Sequence, residues 1–472
     1  VPGARPPPAP GTAAAAGAAG ALLPGLDPGQ PPLVQFSCAS AVHSIALTAS
    51  GETLAVGTSD LTELYHLHRG DEKGDVSGGY GGAGTSGGGS KLRYEPLLLL
   101  EQPAHQGGVS ISEGTEENPE RKLAVCGNQL CTLTELQSGG TLSRMSRDAR
   151  LRCVALSRTG ALLVVGGFDK KVVLNYVEKG AAINQYIAYF KSSATGDAAD
   201  AARAACGGSA GAGGAATTVR SVHLSADSAR LAIGSDVQGR GRALLYDADT
   251  NALLAAWEHD KAVFSVRLSP NGRLLAVAGY GGKMTLYDAC TYFQLHEVQY
   301  TSMRGPPFIW STDFSGDSRY LAVGNWNGSS YLYEIDEPAL VVKREAELAA
   351  AERAVTKIRT PRSEKKDDGG DGTSEPPMAR GGSGRVAELA AKALGGSPGA
   401  RASSSPALAG LVDQLRQGQG RAASAVEEVE VLVREDRVYA VALDEFGAHM
   451  VVGGRDKMVA MYRFDQEAPE SG

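Results

Sequence analysis

Residue types that carry catalysis or bind metals are present in this chain, but none of them falls into a recognisable spacing. The eight histidines are scattered, no His-Glu-x-x-His pair occurs, and no Gly-x-Gly-x-x-Gly loop opens a helix. The nearest approach to a phosphate-binding loop is 86–91, where Lys91 follows Ser90 and precedes Leu92, so the Gly-Lys-Ser/Thr order fails. We therefore expect no catalytic residues, no cofactor and no bound metal.

The six cysteines predict free thiols rather than a disulfide framework. A chain of 472 residues can bury a core without covalent cross-links, and the cysteine spacings form no zinc or redox motif. Cys126 and Cys131 have four residues between them, which is the wrong spacing for Cys-x-x-Cys. Residues 1–20 lack the apolar core of a secretory signal. These features favour a cytoplasmic, reducing compartment, and an organelle or a cilium stays open as an alternative.

A different chemistry, that of protein recognition, is indicated by one recurring position. Short apolar segments along the chain end in a small residue, and a turn follows each of them. Aromatic or arginine side chains occupy this turn four times, at Phe168, Tyr280, Trp326 and Arg455. Trp, Tyr and Arg dominate binding hot spots because they bury a large area with few rotatable bonds. The four residues are our candidate protein-binding site; the alternative is that they pack onto neighbouring turns.

The elements that position these turns are internal repeats. Each repeat is an apolar strand, a Ser/Asp/Gly turn, a second apolar strand ending in a small residue, a polar turn and a third strand ending in Tyr. The clearest copy spans 263–288, and five others begin near Val42, Cys153, Val219, Ile309 and Val438. A seventh, degenerate copy begins at Val109. With a fourth strand before each next copy, the pattern predicts a seven-bladed β-propeller of four-stranded antiparallel blades.

Length and closure agree with seven blades. We expect a disordered Ala/Pro/Gly tail over 1–31, a propeller over 32–464 and a C-terminal tail over 465–472. Low-complexity insertions are predicted at 68–96, 191–216 and 340–425, the last partly helical from Lys343. The rest is about 300 residues, or roughly 43 per repeat. The last repeat lacks a fourth strand, which we expect Leu33–Ser37 to supply, closing the ring.

These repeats resemble the WD-repeat family of β-propellers. Trp257–Val263 is similar to the Gly-His opening of such a repeat, and Leu268–Gly272 is similar to its first turn. Where the family has Trp-Asp, this chain has Tyr246-Asp247 and Tyr287-Asp288, and no repeat carries the Trp. In this family, the turn after the second strand lies on the narrow top face near the central channel. The resemblance therefore implies that the four candidate residues lie on one rim.

Taken together, the sequence favours a non-catalytic scaffold or adaptor that binds other proteins or peptides. The formal net charge of -7 disfavours nucleic acid and anionic membranes as partners, and no apolar run is long enough for a transmembrane helix. Two alternatives stay open: a propeller enzyme, such as a hydrolase or quinoprotein-like oxidoreductase, and a lipid- or nucleic-acid-binding propeller. An enzyme would need convergent carboxylates, histidines or a metal at the channel mouth.

Overall fold

The described residues fold into seven four-stranded antiparallel sheets arranged as the blades of a β-propeller. The computed structural model describes residues 32–69, 92–100, 107–114, 120–178, 182–187, 217–237, 239–300, 307–344, 346, 425–434 and 436–464. We number the blades from the first complete repeat, and the strands in chain order. Among these residues the only helix is a short one over 337–344, α1.

The first four blades each use four consecutive strands. Blade 1 contains β2 (Val42–Leu47), β3 (Thr53–Thr58), β4 (Thr62–Arg69) and β5 (Leu92–Leu100). Blade 2 contains β6 (Gly108–Ile111), β7 (Lys122–Gly127), β8 (Leu130–Glu135) and β9 (Thr141–Ser146). Blade 3 contains β10 (Leu151–Leu156), β11 (Leu162–Gly167), β12 (Lys171–Tyr176) and β13 (Ala182–Ile187). Blade 4 contains β14 (Thr217–Leu224), β15 (Arg230–Val237), β16 (Arg240–Asp247) and β17 (Leu253–His259).

The last three blades complete the ring, and the final one combines both ends of the described chain. Blade 5 contains β18 (Val263–Leu268), β19 (Leu274–Gly279), β20 (Lys283–Asp288) and β21 (Gln294–Gln299). Blade 6 contains β22 (Ile309–Phe314), β23 (Tyr320–Asn325), β24 (Ser329–Ile335) and β25 (Val426–Val433). Blade 7 contains β26 (Val438–Leu443), β27 (His449–Gly454), β28 (Met458–Arg463) and β1 (Val34–Ser37).

Closure of the ring by the N-terminal strand is confirmed. Strand β1 pairs antiparallel with β28, with Val34 opposite Met461 and Ser37 opposite Met458. Two further backbone hydrogen bonds extend this edge, from Leu33 N to Met461 O and from Cys38 N to Lys457 O, both 2.7 Å. The last blade therefore has four strands, and its third strand is not left as an open edge.

The innermost strands of consecutive blades contact one another around the channel, and β26 returns to β2. Serine side chains tie several of these strands together. Ser44 Oγ accepts from the N–H of Val109 in the next blade at 3.0 Å. Ser221 Oγ does the same for Val266 at 3.1 Å. Because the inner strand is a sheet edge, such bonds satisfy backbone groups that have no ladder partner.

Close packing between blades depends on small residues in the second strand. A Cβ at Gly453 of β27 would lie 2.6 Å from Val42 Cγ1 and 2.7 Å from Ile45 Cδ1 of blade 1. A Cβ at Gly234 of β15 would similarly lie 2.9 Å from Val263 Cγ1 of blade 5. In four blades a glycine near the end of the second strand is therefore the site where a valine of the next blade inserts, namely Gly166, Gly234, Gly324 and Gly453.

Two predicted insertion boundaries are corrected by the strands. The predicted insertion 68–96 is shorter at both ends, because β4 runs to Arg69 and β5 begins at Leu92, with those two residues paired. The alternation of Leu92 and Tyr94 favours a strand, although the glycine-rich stretch before it suggested a loop. The remaining part of this insertion, the tails 1–31 and 465–472, and the predicted insertion 191–216 lie outside the described residues.

The long insertion predicted at 340–425 leaves and re-enters the same blade. Strand β24 pairs with β25, with Ile335 opposite Val426. The predicted helix starting at Lys343 in fact begins earlier, as α1 at residue 337. Asp336 caps it, because its Oδ1 accepts from the N–H of Ala339 at 3.1 Å, and Leu340 is fully buried. The rest of the predicted insertion 340–425 lies outside the described residues, apart from Ala346 and Ala425, of which Ala425 is half-buried.

Candidate functional site at the channel mouth

A repeated β-bulge determines which side chains reach the channel. In six blades the register between the first and second strands shifts within the first strand, at its fourth residue in blade 4 and at its second residue in the other five. The bulged residues are His43, Arg152, Arg220, Phe264, Trp310 and Tyr439, and all six line a cavity of about 480 Å³ in the channel. A bulge leaves one residue without a cross-strand partner and redirects its side chain. Every bulged residue therefore faces the same end of the channel, which we call the channel mouth.

The four residues predicted from sequence hold equivalent positions on this same face. In each case the backbone N–H donates to a carbonyl just before the bulge of the same blade. The bonds run from Phe168 to Arg150 (2.9 Å), Tyr280 to Ala262 (2.9 Å), Trp326 to Phe308 (2.7 Å) and Arg455 to Arg437 (3.0 Å). The expectation of a shared face is confirmed, whereas a binding role for the four residues remains a prediction.

Blades 5, 6 and 7 bring six aromatic rings together at the channel mouth, and we call this set the aromatic crescent. Its members are Phe264, Tyr280, Phe308, Trp310, Trp326 and Tyr439. The rings of Tyr280 and Phe308 have centroids 4.3 Å apart, and those of Phe264 and Trp310 are 5.1 Å apart. Trp326 lies 5.2 Å from Trp310 and 5.5 Å from Tyr439. These separations are typical of favourable aromatic pairs.

The crescent is accessible to a ligand. Tyr280 is 42% exposed. Trp326, Trp310, Phe264 and Phe308 are half-buried, so each presents part of its ring to solvent while the rest packs on its neighbours. Trp326 is therefore not covered by its own loops.

Only two of the four predicted residues belong to this cluster. Tyr280 and Trp326 do, whereas Phe168 is 41% exposed on blade 3 and makes no ring contact with the crescent among the described residues. Arg455 is exposed, and its backbone bonds to Arg437, whose guanidinium lies 4.0 Å above the centroid of the Trp326 ring. The cation that contacts the Trp326 ring from blade 7 is thus Arg437 rather than Arg455.

Sequence reasoning missed most of the crescent because it read only the turn after the second strand. The bulged residues occupy equivalent positions in the first strands of their blades. Aligning the repeats on Val42-His-Ser44, Val263-Phe-Ser265 and Ile309-Trp-Ser311 gathers them into one column. The residue in that column is His or Arg in blades 1, 3 and 4, and it is aromatic in blades 5 to 7.

Two arginines face the crescent from the other side of the mouth. Arg152 of blade 3 lies across the channel, with its guanidinium 5.6 Å from the centroid of Trp310 in blade 6. Arg220 of blade 4 lies 5.0 Å from the centroid of Phe264 and pairs with Asp236 at 2.6 Å. Burial, together with the charge of Arg220, lowers the pKa of Arg152 to about 10. Arg152 therefore remains a buried cation at neutral pH.

Deeper in the channel, the titratable side chains take part in the contacts that join the blades. His223 Nδ1 accepts from the N–H of Leu268 at 3.1 Å, and burial holds the pKa of His223 well below its ordinary value. Asp313 accepts from the N–H of Leu443 at 3.1 Å and pairs with Arg267 at 3.3 Å. Burial nevertheless raises the pKa of Asp313. Both side chains complete backbone hydrogen bonding at blade junctions, which accounts for their presence without catalysis.

The aspartates next to two of the predicted residues stabilise their own turns. Asp169 Oδ1 accepts from the N–H of Lys171 at 3.3 Å, and Asp456 Oδ1 accepts from the N–H of Met458 at 3.1 Å. Asp456 also pairs at 2.6 Å with Arg434, whose side chain is buried. Both aspartates therefore have a structural role in their own turns.

The remaining candidates for chemistry also have structural environments. Among the described residues no group of three or more His, Cys, Asp and Glu side chains could hold a metal ion. The five described cysteines, Cys38, Cys126, Cys131, Cys153 and Cys290, are free thiols, and all but Cys290 are buried. His43 stacks on Tyr439, with centroids 5.5 Å apart, and its Nε2 lies 2.9 Å from Ser59 Oγ.

Comparison with known families decides the kind of propeller. The family model described as WD domain, G-beta repeat matches residues 252–288, which span β17 to β20. This is the fourth strand of one blade followed by three strands of the next, and the same unit recurs around the ring. The chain is a WD-repeat β-propeller. No curated protein matches it.

This WD-repeat propeller uses tyrosine where the family has tryptophan. Tyr287 is buried at the end of β20, and its hydroxyl lies 3.4 Å from Nε2 of His259 in the preceding blade. Its ring packs 4.6 Å from that of Trp257. The blade junction therefore retains a histidine contact across the blades without the family's tryptophan. Among the described residues, no helix is both long enough and apolar enough to cross a membrane.

Proposed function

We propose that this propeller is a protein-interaction module that binds a peptide segment of a partner at the channel mouth, with the aromatic crescent as the main contact surface. The observation that carries the proposal is the continuous contact of six rings, five of them part-exposed, over three consecutive blades, beside a cavity of about 480 Å³. A WD-repeat fold is consistent with a scaffold role.

The geometry of the crescent suits a binding surface for two reasons. Trp326 is held between Trp310, Tyr439 and the guanidinium of Arg437, so little side-chain entropy is lost when a ligand covers it. Its half-exposed ring still offers apolar area that a partner can remove from water. Rigid aromatic side chains with these properties dominate binding energy at interfaces.

The site also has a bounded extent. The crescent covers blades 5 to 7, whereas the same rim in blades 1 and 2 carries Ser59 and Asn128 at the turn positions. An extended peptide of a few residues, at about 3.3 Å per residue, is of the right size for a surface of this kind. We therefore favour a short linear segment over a large flat partner surface.

The proposal is tested by selecting peptides from a displayed random library on the full chain. Their affinities are then measured for variants by fluorescence polarisation. Trp326→Ala should weaken binding at least about 30-fold, which corresponds to a hot-spot loss of about 2 kcal/mol. The matched control is Phe446→Ala, because Phe446 is 59% exposed and lies in the β26–β27 turn on the opposite face.

Binding to Phe446→Ala should stay within about twofold of the unmodified chain. Thermal melts of both variants establish that the ring remains folded. A selection that yields no binding peptide would overturn the proposal, and so would peptides that bind Trp326→Ala as tightly as the unmodified chain.

A further inference from the structure

The two arginines at the channel mouth form an unusual electrostatic environment for a chain that carries a formal net charge of -7. Arg152 and Arg220 lie close enough that the charge of Arg220 lowers the pKa of Arg152. Both side chains line the channel cavity together with the crescent residues Phe264, Trp310 and Trp326. Like charges in a part-buried site repel one another, so this arrangement is maintained against an electrostatic cost.

One carboxylate lies beside the two guanidinium groups. Asp236 pairs with Arg220 at 2.6 Å, and its charge also favours the protonated form of Arg152. The three groups together therefore carry one excess positive charge. Arg437 above Trp326 and Lys261, 5.8 Å from the centroid of Tyr280, add further positive charge around the crescent.

Hydrogen-bonding capacity at this point is not used up. The Nε of Arg220 is buried and has no hydrogen-bond partner among the described residues. A buried guanidinium N–H without an acceptor costs free energy. An anionic ligand beside the two guanidinium groups would relieve the repulsion between the two arginines.

Resting on the function proposed above, we propose that Arg152 and Arg220 form an anion subsite of the peptide site. It receives one aspartate or glutamate carboxylate of the partner segment while a neighbouring apolar side chain packs on Phe264 and Trp310. The guanidinium groups lie 5.0 and 5.6 Å from the centroids of these two rings. One or two residues of an extended peptide span that distance.

A carboxylate fits the subsite better than a phosphate. The excess charge of the Arg152–Arg220–Asp236 group is a single positive charge, which one carboxylate neutralises. A phosphorylated side chain carries close to two negative charges at pH 7 and would lie near the carboxylate of Asp236. The peptides bound at the mouth should therefore be rich in an acidic residue next to an aromatic or aliphatic one.

The test uses a peptide selected on the full chain, synthesised in three forms with Glu, Gln or phosphoserine at the acidic position. On the unmodified protein, the change from Glu to Gln should weaken binding about tenfold or more. It should also reduce the dependence of affinity on salt concentration. This comparison requires no change in the protein, so folding does not affect it.

Variants of the protein then locate the subsite. With Arg152→Gln or Arg220→Gln, the Glu and Gln peptides should bind within about twofold of each other, since the group that distinguishes them is gone. The matched control is Arg319→Gln. Arg319 is an arginine in the β22–β23 turn on the opposite face, where it pairs with Glu334. This control should retain the full preference for Glu.

Each outcome bears on one proposal or on both. Peptides that depend on Trp326 but bind equally well as Glu and Gln forms would overturn the anion subsite and leave the interaction site standing. Phosphoserine binding at least tenfold tighter than Glu would overturn the assignment to a carboxylate. Peptides that retain a preference for Glu on both arginine variants would place the anion elsewhere and overturn the subsite. Insensitivity to Trp326→Ala would overturn the interaction site itself.

Discussion

Deletion of the N-terminal strand tests the closure of the ring most severely. Removing residues 1–38 deletes β1 and Cys38, whereas removing residues 1–31 leaves every described contact of β1 in place. The first deletion exposes β28 as an open edge, but the second does not. The two truncations differ by only seven residues, so they form a matched pair.

The size of the effect follows from the contacts of β1. Val34 and Phe36 are half-buried against the core, with the Phe36 ring 4.5 Å from that of Tyr65, and Cys38 is 7% exposed. At roughly 1 kcal/mol for each partly buried side chain, these three contribute about 3 kcal/mol. The backbone bonds to β28 add about 2 kcal/mol. A loss of about 5 kcal/mol is comparable with the whole stability of many domains.

Urea unfolding followed by circular dichroism measures this loss, and size-exclusion chromatography reports any self-association through the exposed edge. We expect a large drop in the midpoint for the deletion of 1–38 and almost none for the deletion of 1–31. At single-residue level, Phe36→Ala should destabilise the fold by about 2 kcal/mol, while its exposed neighbour Gln35→Ala should have little effect. Equal midpoints for the two truncations would refute the closure argument.

Two further predictions concern blade packing and pH. Gly453→Ala should destabilise the ring by about 1–3 kcal/mol because its new Cβ overlaps Val42 and Ile45. Gly108→Ala should be tolerated, because its Cβ would have no neighbour closer than 3.5 Å. Equal urea midpoints for the two variants would contradict the prediction about blade packing. Stability should also fall as the pH is lowered from about 7.5 through 6.5, because unfolded His223 takes up a proton that the buried native imidazole, with its lowered pKa, does not. His223→Gln should reduce the slope of stability against pH by up to about 1.4 kcal/mol per pH unit. An unchanged slope would show that His223 is not the group responsible.

The fold could be predicted from sequence because its determinants are local and repeated. Alternation within segments such as Val263–Leu268, the small residue after each second strand and the missing fourth strand of the last repeat lead to seven closed blades. The start of one strand was predicted wrongly, because the glycine-rich composition before it is typical of a loop. Strand β5 follows a glycine-rich stretch, so its first residues read as loop, although they pair with β4.

The candidate site was only partly predictable, and the reason is geometric. Tyr280 and Trp326 follow strand ends, so counting along the repeats finds them. Of the four remaining crescent residues, Phe264, Trp310 and Tyr439 face the mouth only because a β-bulge redirects them, and a one-residue shift of register cannot be read from alternation. The guanidinium of Arg152 approaches Trp310 across the central channel, so the contact depends on the width of the ring of blades. No local sequence pattern encodes that width.

The central claim, that the channel mouth is where a partner peptide binds, is tested most directly by fluorine NMR on the full chain labelled with 5-fluorotryptophan. The chain has three tryptophans, of which Trp310 and Trp326 belong to the crescent, while Trp257 is buried in blade 4 with its Nε1 donating to Tyr292 O at 3.2 Å. Each resonance is assigned with a Trp→Phe variant. On titration with a selected peptide, the resonances of Trp310 and Trp326 should shift and that of Trp257 should stay in place. A peptide that binds while the two crescent resonances remain unchanged would contradict the account.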